Sequence, residues 1–453
     1  MSTELPNFPH LEGDLPQYGP QAFPSRDREQ PVEGPSGAAP NGGSDSTGLP
    51  SLDQTVRVFE RDVVVVGGCG HVGLPLAIAF ASRGLSVGIY DIDESAVAEV
   101  SAGRMPFLEN GANEPLAQAV AEGRLVASAE PEIVSSGENL VVVIGTPVDE
   151  HMNPDPRAVP AALAQCSPYL RDGQLLVLRS TVYPGVTARV EQLLAGIGVG
   201  VEVSFCPERI AEGHAMTELF SLPQIVSARS AETRARAARL FNNLTERIVE
   251  LEPEEAELAK LFTNAWRYIK FAAANQFFVM ANDHGLDFSR IHAAVVGDYP
   301  RAADMPGAGF SAGPCLLKDT MQLASFMDNS FILGHAAMLV NEGLPLYLTG
   351  RLERHGNLSH KTVGILGMAF KGGSDDTRDS LSYKLKRILE FRAGTVLCSD
   401  PYVNTDAALV SLDEALEKSD ILVIAAPHPE YRSIETSLPV VDVWNLLGQG
   451  TMV

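Results

Sequence analysis

Short apolar runs alternate with helix-periodic segments along most of the chain. The first run, VVVVGG, begins at Val63 and is followed by LPLAIAFASRG, which ends at Gly84. A brief, wholly apolar run is typical of a strand buried on both faces, whereas the longer segment before a glycine is typical of a helix. SVGIYD then predicts a second strand. Only one ionisable residue, His71, lies within 63–81, but four glycines and Pro75 exclude a transmembrane helix there.

The same alternation continues in the first half of the chain and returns near its end. LVVVIGTP (140–147) and QLLVLRSTV (174–182) predict further strands, and KTVGILGMAF, AGTVLCSDP and SDILVIAAP predict those of a second α/β unit. The segment between them is helical: 253–292 is dominated by one long periodic helix, and 317–356 is a second helical region. We therefore predict an α/β fold, with two Rossmann-like, doubly wound parallel-sheet domains joined by a long central helix and a second helical region.

Composition adds a tail to this organisation. The first fifty residues contain nine prolines and seven glycines and carry a net charge of −5, which predicts a disordered acidic tail over 1–55. They lack a basic region followed by an apolar one, so no signal peptide is expected. The predicted domains are an N-terminal Rossmann domain (56–250), a central helical domain (251–357) and a C-terminal Rossmann-like domain (358–453).

Charge and cysteine content exclude several classes of function. The net charge of −23 argues against a nucleic-acid partner, which would require a basic face. Five cysteines, odd in number and without a CxxC pair, argue against a disulfide framework or a zinc ribbon. We expect a cytoplasmic protein without a metal and without a membrane partner.

A dinucleotide motif follows the first predicted strand. Gly68, Gly70 and Gly73 form G-x-G-x-x-G between a strand and a helix, and Asp91 ends the next strand. In this context the glycines allow a tight turn, approach of a pyrophosphate and helix packing, while an acid at that place binds ribose hydroxyls. Because Asp91 would repel a 2′-phosphate, the sequence favours NAD over NADP.

Several residues outside this motif could carry chemistry. Cys315 lies in GFSAGPCLLKD beside Lys318 and Asp319, and a thiol near a cation gains thiolate character. Lys260 and Asn264 are four residues apart on the long helix, hence on one face, and could hold an oxyanion. Glu208 and Glu212 have the same spacing and could do acid–base work or lie on the surface.

Taken in order, these motifs carry a family resemblance. GCGHVGLPLA, YDID, IGTPVDE, STVYPG, CPERIAEG, ELAKLFTN, a Gly/Ala-rich segment, CLLKD and LGMAFKGGSDDTRDS occur over about residues 60–450. The chain resembles the UDP-glucose/UDP-N-acetylmannosamine dehydrogenase family of NAD-dependent nucleotide-sugar 6-dehydrogenases. The resemblance implies a four-electron oxidation of a sugar C6 alcohol to a uronic acid through a thiohemiacetal and a thioester on Cys315.

The resemblance implies that the first domain binds NAD, that the central helical region mediates dimerisation and carries the loop of Cys315 (the cysteine loop), and that the last domain binds the nucleotide sugar. It also assigns roles to individual residues. Lys260 and Asn264 match the oxyanion holders, Glu208 the base for thioester hydrolysis, and Thr181 with Asp319 a pair that positions water. Cofactor contacts are matched by Gly68, Gly70, Gly73, Asp91, Thr146, Thr181, Lys318 and Arg378. Substrate contacts are matched by Glu208, Arg209, Glu212, Lys260, Asn264, Phe310, Phe370, Lys371 and by Arg301, which would reach the site of a neighbouring subunit in a homodimer or larger homo-oligomer.

Departures from the glucose-type pattern leave the substrate open. Arg209 is similar to the residue found at this position in the N-acetylhexosamine enzymes, whereas Glu212-Gly213 is similar to the glucose type. Ala312 occupies a position where the family usually has glycine. UDP-N-acetylmannosamine is the favoured substrate, with UDP-glucose, UDP-N-acetylglucosamine or a GDP-sugar as alternatives.

Two other functions are alternatives to this oxidation. A two-electron dehydrogenase has no use for Cys315. A non-catalytic nucleotide-sugar-binding homologue would be expected to have lost at least one catalytic residue.

Overall fold

The computed structural model describes residues 59–146 and 155–453. The predicted tail and the end of IGTPVDE lie outside these residues, and the predicted domain boundaries remain predictions. The first sheet has eight strands in the order β3-β2-β1-β4-β5-β6-β7-β8. Its strands are β1 (Arg61–Val66), β2 (Val87–Tyr90), β3 (Leu125–Ser128), β4 (Gly137–Val142), β5 (Leu175–Leu178), β6 (Glu202–Phe205), β7 (Gln224–Ser227) and β8 (Ile248–Leu251).

Helices cover both faces of this sheet, as the all-apolar strands predict. Val63 and Val65 pack into one hydrophobic cluster, while Val64 and Val66 pack into another on the opposite face. The helices are α1 (Gly73–Ser82), α2 (Glu94–Ser101), α3 (Asn113–Ala121), α4 (Ala158–Cys166), α5 (Val186–Ile197), α6 (Ala215–Ser221) and α7 (Ala231–Phe241). Strands β1 to β6 run parallel, which confirms the doubly wound prediction, but β7 meets β6 antiparallel through Phe205 and Ser227. The segment between these two strands carries Glu208 and Glu212 at the sheet edge.

The central region is helical. Helix α8 (Pro253–Asp283) begins with a capping box, in which Glu252 and Glu255 each accept from the other's backbone, and it ends just before Gly285. It is followed by α9 (Phe288–Val296), α10 (Leu316–Phe326) and α11 (Ile332–His355). Both α10 and α11 pack against α8, so α8 forms the axis of this region.

A smaller parallel sheet ends the chain, in the order β10-β9-β11-β12. Its elements are β9 (Thr362–Leu366), α12 (Leu381–Arg392), β10 (Thr395–Ser399), α13 (Leu412–Lys418), β11 (Ile421–Ile424) and β12 (Val440–Val441). Its core continues into α8 and α11, since Phe278 and Leu344 belong to the same hydrophobic cluster as Val363 and Ile365. No helix in the described part of the chain is long and apolar enough to span a membrane.

Candidate active site

The glycine turn between β1 and α1 has the geometry that its sequence predicts. A Cβ on Gly73 would lie 2.7 Å from the Cα of Gly68, so α1 can approach the turn this closely only if residue 73 lacks a side chain. At Gly70 a Cβ would meet nothing within 4 Å. This open space faces the place where a pyrophosphate would reach the backbone at the N-terminus of α1. The turn therefore fits a dinucleotide.

Asp91 at the end of β2 stabilises this turn. Its Oδ2 accepts the N–H of Cys69 at 2.8 Å, and its Oδ1 accepts the N–H of Asp93 at 3.1 Å. Each oxygen keeps a second lone pair for a ribose hydroxyl. Asp91 thus shapes the glycine turn as well as offering a contact to the cofactor.

Cys315 lies immediately before α10, at the position of its N-cap, and is exposed. We expected neighbouring cations to favour the thiolate, and Lys260, Lys318 and Arg378 do lower the pKa of the Cys315 thiol. Limited hydration among the surrounding protein groups and the charge of Asp319 outweigh them, so the net pKa is raised. The neighbouring cations therefore favour the thiolate, as expected, but they do not offset desolvation and the charge of Asp319. The other four cysteines are buried, and burial raises the pKa of each.

Lys260 and Asn264 lie one turn apart on the face of α8 that packs against α10. Both are buried, and Asn264 Nδ2 donates to Asp319 Oδ2 at 2.6 Å. Burial lowers the pKa of Lys260, against the opposing charges of Asp319, Cys315 and Glu208. The structure therefore brings Cys315, Lys260, Asn264 and Asp319 together, as the resemblance implies.

A lysine connects this cluster with the nucleotide-binding sheet. Lys318 Nζ donates to the backbone oxygen and to Oγ1 of Thr146, at 3.1 and 3.0 Å. Thr146 follows β4, whose end is also joined to that of β5, because Ser180 Oγ accepts the N–H of Ile144 at 2.7 Å. Thr181 follows directly, so both predicted threonines lie at the carboxyl edge of the sheet, where parallel α/β folds bind ligands.

Glu208 is buried and paired with an arginine. Its side chain is 7 % exposed and forms an ion pair with Arg179, a residue that the sequence analysis did not single out. The signal was available, since Arg179 is the only charge in the apolar run QLLVLRSTV. The neighbouring Arg209 directs its guanidinium to the backbone oxygen of Pro223.

Glu212 joins the first sheet domain to the last one. Ser374 Oγ donates to its Oε1 at 2.7 Å, and Lys371 Nζ donates to its backbone oxygen. Arg378 pairs mainly with Asp376 and lies 4.0 Å from Glu212 Oε2. Burial is the largest cause that raises the pKa of Glu212, to about 7.

A histidine of the glycine turn completes this group. His71 Nδ1 lies 3.8 Å from Glu212 Oε2, and ligand atoms of His71, Glu212 and Asp376 lie within 4.8 Å of one another. By distance alone they could hold a cation. Lys371 and Arg378 face the same group with positive charge, which opposes a cation, so we assign it no metal.

The remaining predicted substrate residues are dispersed. The ring of Phe370 packs on Gly313 of the cysteine loop, where a Cβ would lie 2.6 Å from its Cδ2. Phe310 is 4 % exposed and packs in the core shared with the last domain. Arg301 is exposed and its guanidinium stacks over Tyr299 at 5.3 Å, so within one chain it contacts none of the catalytic cluster described above.

Comparisons with known proteins agree with this geometry. Three domain models of the UDP-glucose/GDP-mannose dehydrogenase family match the chain: the NAD binding domain at 62–245, the central domain at 254–342 and the UDP binding domain at 364–449. The chain is 30 % identical to a UDP-N-acetyl-D-mannosamine dehydrogenase of Pyrococcus horikoshii, over 82 % of this chain and 90 % of that protein. It is 27 % identical to an NDP-N-acetyl-D-galactosaminuronic acid dehydrogenase of Ralstonia nicotianae, over 85 % and 95 %.

A solved structure agrees over a similar length. The UDP-glucose dehydrogenase of Pyrobaculum islandicum superposes with a TM-score of 0.79 at 29 % identity, covering 86 % of this chain and 96 % of that one. The names of these three proteins specify three different sugars. The comparisons therefore support a nucleotide-sugar substrate and leave its sugar open.

Proposed function

Because the chain belongs to the UDP-glucose/GDP-mannose dehydrogenase family, whose members are NAD-dependent oxidoreductases acting on nucleotide sugars, we propose that it oxidises the C6 alcohol of a UDP-sugar to the uronic acid through a thioester on Cys315. The observation that carries the proposal is the cluster of Cys315 with Lys260, Asn264 and Asp319. A two-electron dehydrogenase has no need of that thiol. A non-catalytic homologue would have no reason to retain the whole cluster.

Each group has a distinct task in the proposed reaction. NAD, when bound at the glycine turn, accepts a hydride in each of the two oxidations. The Cys315 sulfur attacks the aldehyde carbon, and the resulting tetrahedral centre again carries a hydride that can leave. Lys260 and Asn264 hold the oxygen of that carbon while negative charge develops on it. Their burial strengthens this interaction, since little water competes for the charge.

The acid is released by hydrolysis of the thioester. Thr181 and Asp319 position the water, and Glu208 accepts its proton. The last domain contributes Phe370, Lys371 and Arg378 near the cysteine loop and Glu212, so the site is complete only when the first and last domains face each other across it. The positive charges there also offset the net charge of −23 near an anionic ligand.

UDP-N-acetylmannosamine is the proposed substrate. The 30 % identical relative carries that name, and Arg209 resembles the N-acetylhexosamine enzymes. UDP-glucose, UDP-N-acetylglucosamine and GDP-sugars are the alternatives, because relatives of similar identity or fold have names that specify other sugars.

We also propose that the protein acts as a homodimer or a larger homo-oligomer. Among the described residues, thirteen of the nineteen large apolar side chains that are exposed lie between 253 and 355, including Phe262, Trp266, Leu333 and Leu339. Exposed apolar side chains concentrated in one region of a protein often mark a surface for association with another protein. Arg301, exposed on the same region, would then reach the site of a second copy.

The stoichiometry of NADH tests the reaction. A panel of UDP- and GDP-sugars is incubated with enzyme and NAD, and we expect two NADH for each uronic acid with UDP-N-acetylmannosamine. The Cys315→Ser variant should release no acid, and the Cys206→Ser variant, which changes a buried thiol, serves as its control. One NADH per product would indicate a two-electron dehydrogenase, and no turnover of any sugar would indicate a binding protein.

A further inference from the structure

Arg179 is a buried arginine at the edge of the proposed site. It follows the last residue of β5 and precedes Ser180 and Thr181, and it is 1 % exposed. A guanidinium so deep in a protein is costly unless every donor is paired. Its hydrogen-bond partners therefore fix the position of the Arg179 guanidinium.

Those partners hold the guanidinium on several sides. Its Nε donates to Glu208 Oε2 at 2.9 Å, and its Nη2 donates to the same oxygen. Its Nη1 donates to the backbone oxygen of Cys206 at 3.0 Å, and Nη2 also donates to Gln224 Oε1 at 3.0 Å. The ring of Phe241 lies 4.7 Å from its central carbon. Arg179 therefore has no room to follow Glu208 if that side chain moves.

The other oxygen of Glu208 has different partners. Its Oε1 accepts the N–H of Arg209 at 2.7 Å and the N–H of Ile210 at 3.0 Å. A carboxylate offers about four lone-pair positions, so all of those on Glu208 are occupied. Glu208 can accept a proton from water only if one of these donors leaves.

The two oxygens differ in how readily they can lose a donor. The bonds to Oε2 come from a charged group and share one rigid guanidinium, whereas those to Oε1 come from neutral peptide N–H groups of a loop. We propose that Arg179 is a positioning residue for release of the acid: it fixes the Glu208 carboxylate through Oε2 and leaves Oε1 as the oxygen that exchanges a peptide donor for the reacting water. This rests on the proposed function of the site.

The hydrolytic step balances with this assignment. The water oxygen bonds to the acyl carbon, and the C–S bond breaks with its electron pair going to Sγ of Cys315. One water proton goes to Glu208 Oε1 and then to that thiolate, while the other leaves as the product acid ionises. Arg179 touches neither water nor substrate.

The Arg179→Met variant tests the proposal by single-turnover kinetics. Hydrolysis is followed as the loss of the acyl mass from acid-quenched protein, with the sugar that wild type turns over. The substitution removes the cation that pairs with this buried carboxylate, so the acid limb of the pH–rate profile for hydrolysis should move upward by about one pH unit or more. At pH 6 we expect hydrolysis about tenfold slower, with acyl-enzyme accumulating, and at pH 9 recovery to within about threefold. Both hydride transfers should stay within about threefold of wild type.

Two further variants separate position from folding. Arg179→Lys keeps the positive charge but not the two hydrogen bonds to Oε2. The acid limb of its pH–rate profile should therefore stay at the wild-type pH, while hydrolysis slows about tenfold at every pH. Gln224→Met removes another partner of the same guanidinium and should leave the profile unchanged. If Arg179→Met does not fold, the rate of hydrolysis in Arg179→Lys tests the proposal instead.

The opposite results are equally clear. An acid limb at the wild-type pH in Arg179→Met, or equal losses in both hydride transfers and hydrolysis at every pH, would overturn the proposal. So would wild-type hydrolysis in Arg179→Lys. If wild type itself forms no acyl-enzyme, the proposed function fails instead, and the two failures are thus distinguished.

Discussion

Single residues in this site do not behave as their sequence neighbours suggest. Cys315 has three cations nearby, yet desolvation by the surrounding protein and the charge of Asp319 raise the pKa of its thiol. Glu208 and Glu212 are four residues apart, yet one lies against Arg179 and the other against Ser374 of a different domain. The environment of each group, which comes from distant parts of the chain, decides its ionisation.

Glu212 gives a prediction about stability. Its pKa is raised from 4.5 to about 7 in the folded protein, so between these pH values the folded state binds the proton more tightly than the unfolded state. This contribution to stability is present below pH 4.5 and is lost as the pH rises through 7. In thermal unfolding, Glu212→Gln should match wild type at pH 5 and be more stable at pH 8, by about 1–3 kcal/mol. The exposed Glu246→Gln should show no such difference, and an equal melting temperature for Glu212→Gln and wild type at pH 8 would contradict the assignment.

The turn between a strand and a helix is the element on which cofactor binding depends. It occurs twice with the same support, since Asp91 accepts from the backbone after β1, and Asp400 accepts the N–H groups of Met368 and Ala369 after β9. In both sheets an acid after the second strand fixes the turn after the first. The two turns therefore share a structural device, although only the first has the full glycine motif.

Two glycines of the first turn can be separated by experiment. Gly73→Ala places a Cβ 2.7 Å from backbone, so α1 must shift, and we expect a loss of about 1–3 kcal/mol in stability as well as weaker NAD binding. Gly70→Ala meets nothing in the protein, so its melting temperature should equal that of wild type while the KM for NAD rises about tenfold. Calorimetry and NAD titration distinguish them. A destabilised Gly70→Ala, or unchanged NAD binding in that variant, would contradict the open space assigned to the pyrophosphate.

At the scale of the whole molecule, the central region (253–355) contains thirteen of the nineteen exposed large apolar side chains among the described residues. Trp266 on α8 and Leu333 on α11 are 58 % and 64 % exposed. The double variant Trp266→Glu/Leu333→Glu should shift the mass measured by light scattering to that of a monomer. Activity should fall with it, because Arg301 would no longer reach a second site.

Matched variants test the role of this surface. Phe391→Glu changes a side chain that is 88 % exposed on α12, outside the central helices, and should leave the mass unchanged. Arg301→Ala should remain associated while its KM for the sugar rises about tenfold. An unchanged mass for the double variant would exclude this surface as the interface.

The sequence by itself determined the architecture and the type of cofactor. Apolar runs that alternate with helix-periodic segments predict parallel sheets covered on both faces, and the glycine spacing with Asp91 predicts a dinucleotide-binding turn. Both can be recognised in the sequence because they depend on residues that are close together in the chain. Nine family motifs in the expected order add the candidate catalytic residues.

Only the tertiary structure decided how the charged groups of the site are paired. Arg179 directly follows the apolar strand β5, and nothing in the chain nearby indicates that its Nε and Nη2 both donate to one oxygen of Glu208, 29 residues later. Ser374 likewise reaches Glu212 across 162 residues. Burial and pairing depend on which distant elements pack together, and these two quantities set the protonation of each acid and thiol. The sequence pattern therefore identifies the candidate site residues, whereas the packing of distant elements determines the contacts and the solvent exposure of each.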